Sequence, residues 1–277
     1  MLSDLSLRRY SAAGLAALLL CAAPAALMAA TPADTLVIAD AIDDIVSLDP
    51  AEAYEFSGLD LNNNTYDGLV EIDPATLGMI PGLAESWSVA EDGTTFTFKM
   101  KPGLTFSSGN PVTAEAAAWS LQRVIKLNKT PAFILSQFGW TAENVDQMVT
   151  GKGDTLTLKT DKAYAPTFLY NCLTAGVAEI VDAETVKTHD VNGDMGNEWL
   201  KSNSAGTGAY VLKSYKPKEG YVLEMRKGYW RGDAKIAKIF MQHVPEAATQ
   251  RLQVEKGDID IERTMTPVEV AGLAGNA

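Results

Sequence analysis

The chain has 277 residues, 47% hydrophobic and 21% charged, an ordinary globular composition with room for one large domain or two small ones. Its formal net charge is -12; Arg8 and Arg9 against Asp4 give residues 1–30 a charge of +1, so the remainder carries -13. That balance lacks the basic footprint of a nucleic-acid-binding protein and disfavours anionic membrane surfaces.

The first segment, "LRRYSAAGLAALLLCAAPAALMAATPAD", has a short basic region, an apolar core from Ala12 to Leu20, and small residues before polar "TPAD". This is the layout of a secretory signal peptide, whose apolar part is too short to span a bilayer stably. Cleavage is expected near Ala29 or Ala30, although Leu27 or Met28 fits the upstream small-residue position poorly. A twin-arginine reading of Arg8-Arg9 lacks the usual residues after the pair. Cys21 follows Leu20, where a lipid-anchor cysteine wants a small residue. No later segment is long and apolar enough to be transmembrane, so the mature part is expected to be exported and soluble. Only Cys172 remains after cleavage, and its apolar neighbours in "FLYNCLTAGVAEIV" predict a buried, inert thiol.

"TLVIAD" (35–40) reads as a buried first strand. A turn is expected around Asp73-Pro74. Alternating runs (Trp87, Val89; then Phe96, Phe98, Met100) flank Asp92-Gly93 and predict a hairpin over 86–100. Thr113 is a plausible N-cap, Glu115 suits the helix dipole, and Ala117, Leu121, Val124 and Ile125 form an apolar helical face. "GDTLTLKT" (153–160) predicts another strand, and "APTFLYNCL" (165–173) the start of a buried helix entered through Pro166. "AYVLKSYKPKEGYVLEMRK" predicts a second hairpin, "PEAATQRLQVEKG" a helix closed by Gly257, and "DIDIE" a short returning strand. Strands and helices without regular alternation predict a mixed-sheet α/β architecture.

Familiar reaction chemistry is sparse. His189 and His243 have no partners at zinc spacing. "DVNGDMGNEWLK" (190–201) follows a calcium loop for five residues, then has Met195 where glycine is needed and Lys201 where the bidentate glutamate belongs, so it reads as a solvated acidic loop. "SAGTGAY" (204–210) has neither a phosphate-loop lysine nor a dinucleotide fingerprint and reads as a tight turn feeding the second hairpin. No G-x-S-x-G motif occurs. Tyr54, Phe56, Phe133, Trp140 and Tyr170 remain, each more often core than ligand platform, although such groups line small-molecule clefts. The residues by themselves favour an exported binder over a catalyst; an exported hydrolase is the rival from another class.

The stretch "NNTYDGLVEIDPATLGMIPGLAESWSVAEDGTTFTFKMKPGLTFSSGNPVTAEAAAWSLQRV" resembles the signature region of the extracellular solute-binding proteins, family 5, of peptide and nickel ABC importers. "GTGAYVLKSYKP", "VLEMRKGYWRG" and "LQVEKGDIDI" resemble later landmarks of the same family, in order, so the resemblance covers 35–270. Two local departures stand out: Ser107 and Ser108 in the F-x-x-G turn, and Ala116-Ala117 after Glu115. A third is length, since members of the family are about twice as long.

The resemblance implies an α/β, two-lobed periplasmic binding protein fold, type II-like, with a mixed β-sheet, the first lobe mostly present and the second truncated. It places the main part of lobe I at 31–65 and 175–265, an inserted subdomain at 66–174, and the start of the hinge and second lobe at 266–277. The end "TPVEVAGLAGNA" reads as a chain cut in mid-domain. The implied function is capture of di- or oligopeptides in the periplasm and delivery to ABC permease subunits, by a monomer that touches the membrane complex only peripherally. No cofactor is implied. Another solute (opine, sugar or nickel complex) and a truncated, non-functional fragment are the alternatives. The resemblance carries over Tyr54 as a cleft tyrosine, in a segment that pairs with peptide backbone in peptide-binding members. It also places Phe133 near a cleft aromatic, with Glu55 and Phe56 beside Tyr54. Nickel-type members carry a cleft arginine near "TAGVAEIV" (174–181); this chain has none there, which favours peptides.

Overall fold

Asp92-Gly93 closes a hairpin, as its sequence predicts: β4 (Ala84–Val89) and β5 (Thr95–Met100) are antiparallel, with Gly93 at φ 67°. The computed structural model describes residues 32–273, which belong to one compact unit; the leader reading and its cleavage site lie outside the described residues.

Two sheets organise the chain, and they draw on different stretches of it. The five-stranded sheet has the order β11-β1-β10-β9-β8. It is built from β1 (Thr35–Asp40), β8 (Tyr210–Lys216), β9 (Gly220–Met225), β10 (Lys238–His243) and β11 (Ile261–Glu262). β1 lies parallel to both neighbours, pairing Thr35 with Lys238 and Ile38 with Ile261, whereas β8, β9 and β10 run antiparallel. The sheet is therefore mixed, and its first strand is held by chain that returns some 200 residues later. β1 is not buried on both faces as its apolar run suggests: Val37 and Ala39 are buried, while Leu36 and Ile38 are partly exposed. The helix Ala247–Lys256 links β10 to β11 and ends at Gly257 with φ 75°, as predicted.

The four-stranded sheet has the order β4-β5-β7-β6, all antiparallel. β7 (Thr155–Lys159) is the predicted strand, shorter than the 153–160 read from sequence because Gly153 and Asp154 form a turn. The partner strand β6 (Val149–Lys152) was not read from sequence; its Gly151 packs directly on the Ala114 carbonyl and breaks the alternating pattern. α1 (Phe56–Thr65) follows the first loop, and α2 (Ala114–Leu127) lies over the four-stranded sheet. Thr113 caps α2, its hydroxyl accepting from the Ala116 N–H at 3.1 Å. Ala117, Leu121, Val124 and Ile125 join Phe96, Phe98, Leu156 and Leu158 in the largest core cluster. Trp140 is in that core, donating Nε1–H to the Lys159 carbonyl, and the Tyr170 ring meets Trp87, Phe96 and Phe98 at centroid distances of 6.0, 6.0 and 6.1 Å. Both are therefore structural.

A small pair, β2 (Val70–Ile72) and β3 (Met79–Pro81), brackets the Asp73 turn, where Asp73 accepts from Ala75 N–H and the Thr76 hydroxyl. The helix Pro166–Cys172 forms, but Leu169 is its only buried residue, so it lies on the surface. Cys172 is half-buried, not buried, and burial raises its thiol above the ordinary value. "SAGTGAY" is not a tight turn: residues 203–207 form no turn, and only Gly208 and Ala209 bend before β8. Its glycines serve close approach, because a Cβ at Gly206 would sit 2.1 Å from the Thr65 carbonyl oxygen and one at Gly208 2.5 Å from that of Asn64.

The segment between β1 and α1 crosses from one core to the other. Ile42 and Leu48 belong to the cluster beneath the five-stranded sheet, and Ala51 to the cluster beneath the four-stranded one. At the crossing, the fully buried Asp49 takes two hydrogen bonds from Arg123 of α2, at 2.7 and 2.6 Å. Arg123 also donates Nε–H to the Met195 carbonyl (2.8 Å), and Asp49 accepts from Ala51 N–H and from the Asn197 amide. Removing one partner of such a pair leaves a buried charge uncompensated. Arg123→Ala is expected to lower the unfolding free energy by about 3–5 kcal/mol in chemical denaturation; a loss below about 1 kcal/mol would show that the crossing does not depend on the pair. Gly206→Ala, which drives a Cβ into rigid backbone, is expected to cost about 1–3 kcal/mol in the same assay.

Candidate functional site

The aromatic residues singled out in the sequence separate by exposure. Tyr54, Phe56 and Phe133 are 50%, 92% and 55% exposed, against 1% for Trp140. Tyr54 and Phe133, 79 positions apart, meet edge to face with ring centroids 5.8 Å apart. Phe133 opens a short helix, Phe133–Ser136, that follows α2 through Lys129–Ala132. Tyr54 is delivered by the loop that Asp49 anchors to that same α2, so one helix positions both rings. Phe56, the first residue of α1, stands free beside them in sequence. Singly exposed aromatics are ordinary, but a pair that packs on itself and leaves about half of each ring in solvent is an apolar surface of the kind ligands and partners cover.

Glu55 is in the same segment, with its carboxylate facing its own loop. Oε1 accepts from the Val46 N–H at 2.8 Å and the Ser47 N–H at 3.3 Å, and Oε2 from the Tyr54 N–H at 2.8 Å. Glu55 thus fastens the loop that presents Tyr54. It also occupies the Tyr54 N–H, leaving one donor fewer for strand-to-strand pairing there. Neighbouring Glu52 reinforces the anchor: burial would raise its carboxyl, but hydrogen bonds from Asn197 and Lys129 outweigh that and hold it below the ordinary range.

The histidines and the acidic loop have structural partners. His243 Nδ1 accepts from the Ile42 N–H at 3.1 Å, and the His189 ring stacks on Trp199 with centroids 4.1 Å apart. Asp194 accepts from the backbone of Val191, Gly196 and Glu198, and Asp190 from Gly193, so these carboxylates close their own loop. Among the described residues no group of three or more His, Cys, Asp or Glu is placed to hold a metal ion. Ser108, one of the departures noted in the F-x-x-G turn, donates to Asp182 at 2.6 Å, alongside the Asn110 amide. Burial alone would raise the Asp182 carboxyl, yet these bonds and those from Thr185 keep it below the ordinary range.

A second polar centre was not legible in the sequence. Asp67 of "YDGLV" accepts from the Thr207 hydroxyl of "GTGAY" (2.7 Å) and from Tyr229 OH and Trp230 Nε1 of "GYWRG" (2.7 and 3.1 Å). Three separated motifs therefore converge on one carboxylate. Beside it, Glu179 is buried, and its Oε2 has no hydrogen-bond partner among the described residues. Burial, with the Asp67 charge adding to it, holds the Glu179 carboxyl well above the ordinary range.

With this geometry in place, comparison with known proteins decides the family. Residues 78–277 match the family model described as bacterial extracellular solute-binding proteins, family 5 middle. The chain belongs to that family. It is 30% identical over 238 residues to the "Probable D,D-dipeptide-binding periplasmic protein DdpA" of Escherichia coli K12, covering 84% of this chain and 44% of that protein. It is also 30% identical over 200 residues to the nickel-binding periplasmic protein of Escherichia coli K12, covering 71% of this chain and 35% of that one. The solved Escherichia coli murein tripeptide binding protein MppA superposes with a TM-score of 0.73 at 26% identity, covering 86% of this chain and 47% of that one. The chain thus spans less than half the length of these relatives. The fold class is the expected one, α/β with a mixed sheet, as in family 5.

The Glu179 environment has a defined consequence for stability. A carboxyl whose folded pKa is raised makes the folded state bind more protons, so stability falls with pH between the unfolded and folded values. Relative to Glu179→Gln, the parent is expected to lose stability as pH rises from about 4.3, the ordinary glutamate value, through the raised Glu179 value, with a constant difference above it. Thermal midpoints of both proteins across pH test this; parallel curves would place Glu179 in solvent.

Proposed function

We propose that this chain is the first-lobe part of a solute-binding component of an ABC importer that captures di- or oligopeptides, with Tyr54, Phe133 and Phe56 on the ligand-facing surface. The observation that carries this reading is the Tyr54–Phe133 pair, half-exposed at the end of a buried anchor and belonging to a chain of family 5. An apolar aromatic surface with few side-chain charges suits a ligand of variable sequence, held by ring contacts and backbone groups. Glu55 acts here as the residue that positions Tyr54. Closure of a second lobe over the bound solute, shifting an open–closed equilibrium, is the mechanism by which such a protein signals occupancy to its permease. The reading divides lobe I into a main part, 31–65 with 175–265, and an inserted part, 66–174, in line with the separate origins of the two sheets. It places the protein in the periplasm as a monomer that binds no nucleic acid and has no catalytic role. No helix among the described residues is long and apolar enough to cross a membrane.

Peptide is favoured over a nickel complex because residues 174–181 supply no basic side chain, and two of the three relatives described above are named for peptide ligands. The test is native mass spectrometry and calorimetry of the protein purified from its producing cells. Stoichiometric adducts at peptide masses are expected, and Tyr54→Ala and Phe133→Ala should each weaken peptide binding by about tenfold, the scale of an aromatic hot spot. Unchanged affinity in both variants would remove this surface from the site, and adducts confined to nickel complexes or sugars would replace the peptide reading.

A further inference from the structure

The second polar centre borders a cavity of about 400 Å³. Its walls are the segment Tyr66–Ile72, the segment Leu173–Glu179, and Tyr229 with Arg231. None of Tyr54, Glu55, Phe56 or Phe133 lines it. The one α1 residue in its wall, Asn63, lies seven residues beyond Phe56, about 10 Å along the helix axis. The cavity is thus separate from the aromatic surface.

Its charge is unbalanced. Asp67, Glu71 and Glu179 line it, against Arg231 as the single base among the described residues. The Arg231 guanidinium is already paired with Glu71. Asp67 is hydrogen-bonded by three neutral donors, which solvate its charge without cancelling it. Glu179 lines the cavity yet is only 8% exposed, and its Oε2 is enclosed and unpartnered, so its ionised form has no counter-charge within the fold. Ile72, on the cavity wall, supplies exposed apolar surface next to these acids, with Val70 and Leu173 buried behind the lining. A cationic head on a short apolar stem matches both features, and the volume accommodates a group of a few heavy atoms. A water molecule would supply a donor but leave two neighbouring carboxylates in conflict, whereas a cation lets both ionise.

We propose that this cavity binds an aliphatic primary ammonium group, with the Glu179 carboxylate as its direct counter-ion and the Asp67 charge adding to the attraction. The head of the ligand sits against Glu179, and its stem runs along Ile72. The site does not depend on the peptide reading of the Tyr54 surface.

Titration calorimetry of the full chain with n-butylammonium chloride, with n-butanol as the neutral control, tests the assignment. Saturable binding of the ammonium and none of the alcohol is expected. Glu179→Gln, which keeps the shape and removes the charge, should weaken it about tenfold or more, the scale of a hydrogen bond to a charged group. Ala175→Leu, which narrows the cavity and leaves its acids in place, should also weaken it, while Tyr54→Ala should leave it unchanged. Equal affinity in the parent and Glu179→Gln, equal binding of the alcohol, or no saturable heat from a parent whose near-UV circular dichroism shows it folded would each overturn the proposal. Parallel titration with dialanine separates two sources of the same head group. Weakening of dialanine by Glu179→Gln assigns the cavity to peptide amino ends, and an effect on butylammonium alone assigns it to free amines.

Discussion

The buried pairing of Asp49 with Arg123 is the constraint on which the candidate site rests. Taking two charges out of water is costly, and the cost is offset only where geometry is good and the remaining lone pairs and protons find partners. Here the guanidinium meets the carboxylate at two points and spends another donor on the Met195 carbonyl, while Asn197 reaches both Asp49 and Glu52. Four parts of the chain meet there: the loop before α1, α2, the 195–197 turn and, through the Lys129–Glu52 contact, the connection that follows α2. An apolar replacement of equal volume could match the stability, but it would not specify the position of the loop in the same way. That position decides where Tyr54 points, and with it the contact to Phe133.

The joint around Asp67 plays the same part between the two sheets. Its carboxylate gathers donors from positions 207, 229 and 230, and Gly206 and Gly208 let their segment lie against the backbone of 64–66. The motifs "YDGLV", "GTGAY" and "GYWRG" are far apart in sequence yet form a single contact. Their co-occurrence in order is what made the family resemblance specific, and the structure supplies the physical cause: each contributes a group that would be left unsatisfied without the others. Trp230 also packs against two cations, with Lys101 Nζ 4.0 Å and Arg231 Cζ 4.3 Å from its ring centroid. The joint also forms part of the wall of the cavity beside Glu179, to which it contributes Asp67 and Tyr229.

The aromatic residues are thus divided spatially between the core and the surface. Trp140 and Tyr170 are spent on the core, while Tyr54, Phe56 and Phe133 are left in solvent at the end of a rigid anchor. Ordering an exposed loop by buried polar contacts at its base, with Glu55 closing its tip, reduces the freedom lost when a ligand arrives. A loop fastened in this way is well suited to present a surface.

Local structure was the most legible part of the sequence. The Asp92-Gly93 hairpin, the Thr113 cap of α2, the second hairpin and the Gly257 stop are dictated by interactions within a few residues, which a sequence displays directly. β6 escaped notice because Gly151 answers to the Ala114 carbonyl, a contact with another element. "SAGTGAY" was misread because a glycine needed for close approach looks the same as one needed for a turn. Arg123 left a trace: with Ala116 and Ser120 it falls on the buried face of α2, where a lone charge implies a buried partner. Nothing in the sequence named that partner as Asp49. The sequence by itself determined β1, the two hairpins, α2, β7 and the helix closed by Gly257, together with the mixed-sheet class and, through its ordered motifs, the family. Only the tertiary structure decided which aromatics are core and which face solvent, that Glu55 holds a loop, and that Asp67 and Glu179 share a cavity. Those outcomes depend on which distant groups share a low-dielectric space, and burial and pairing are properties of the folded chain, not of any segment of it.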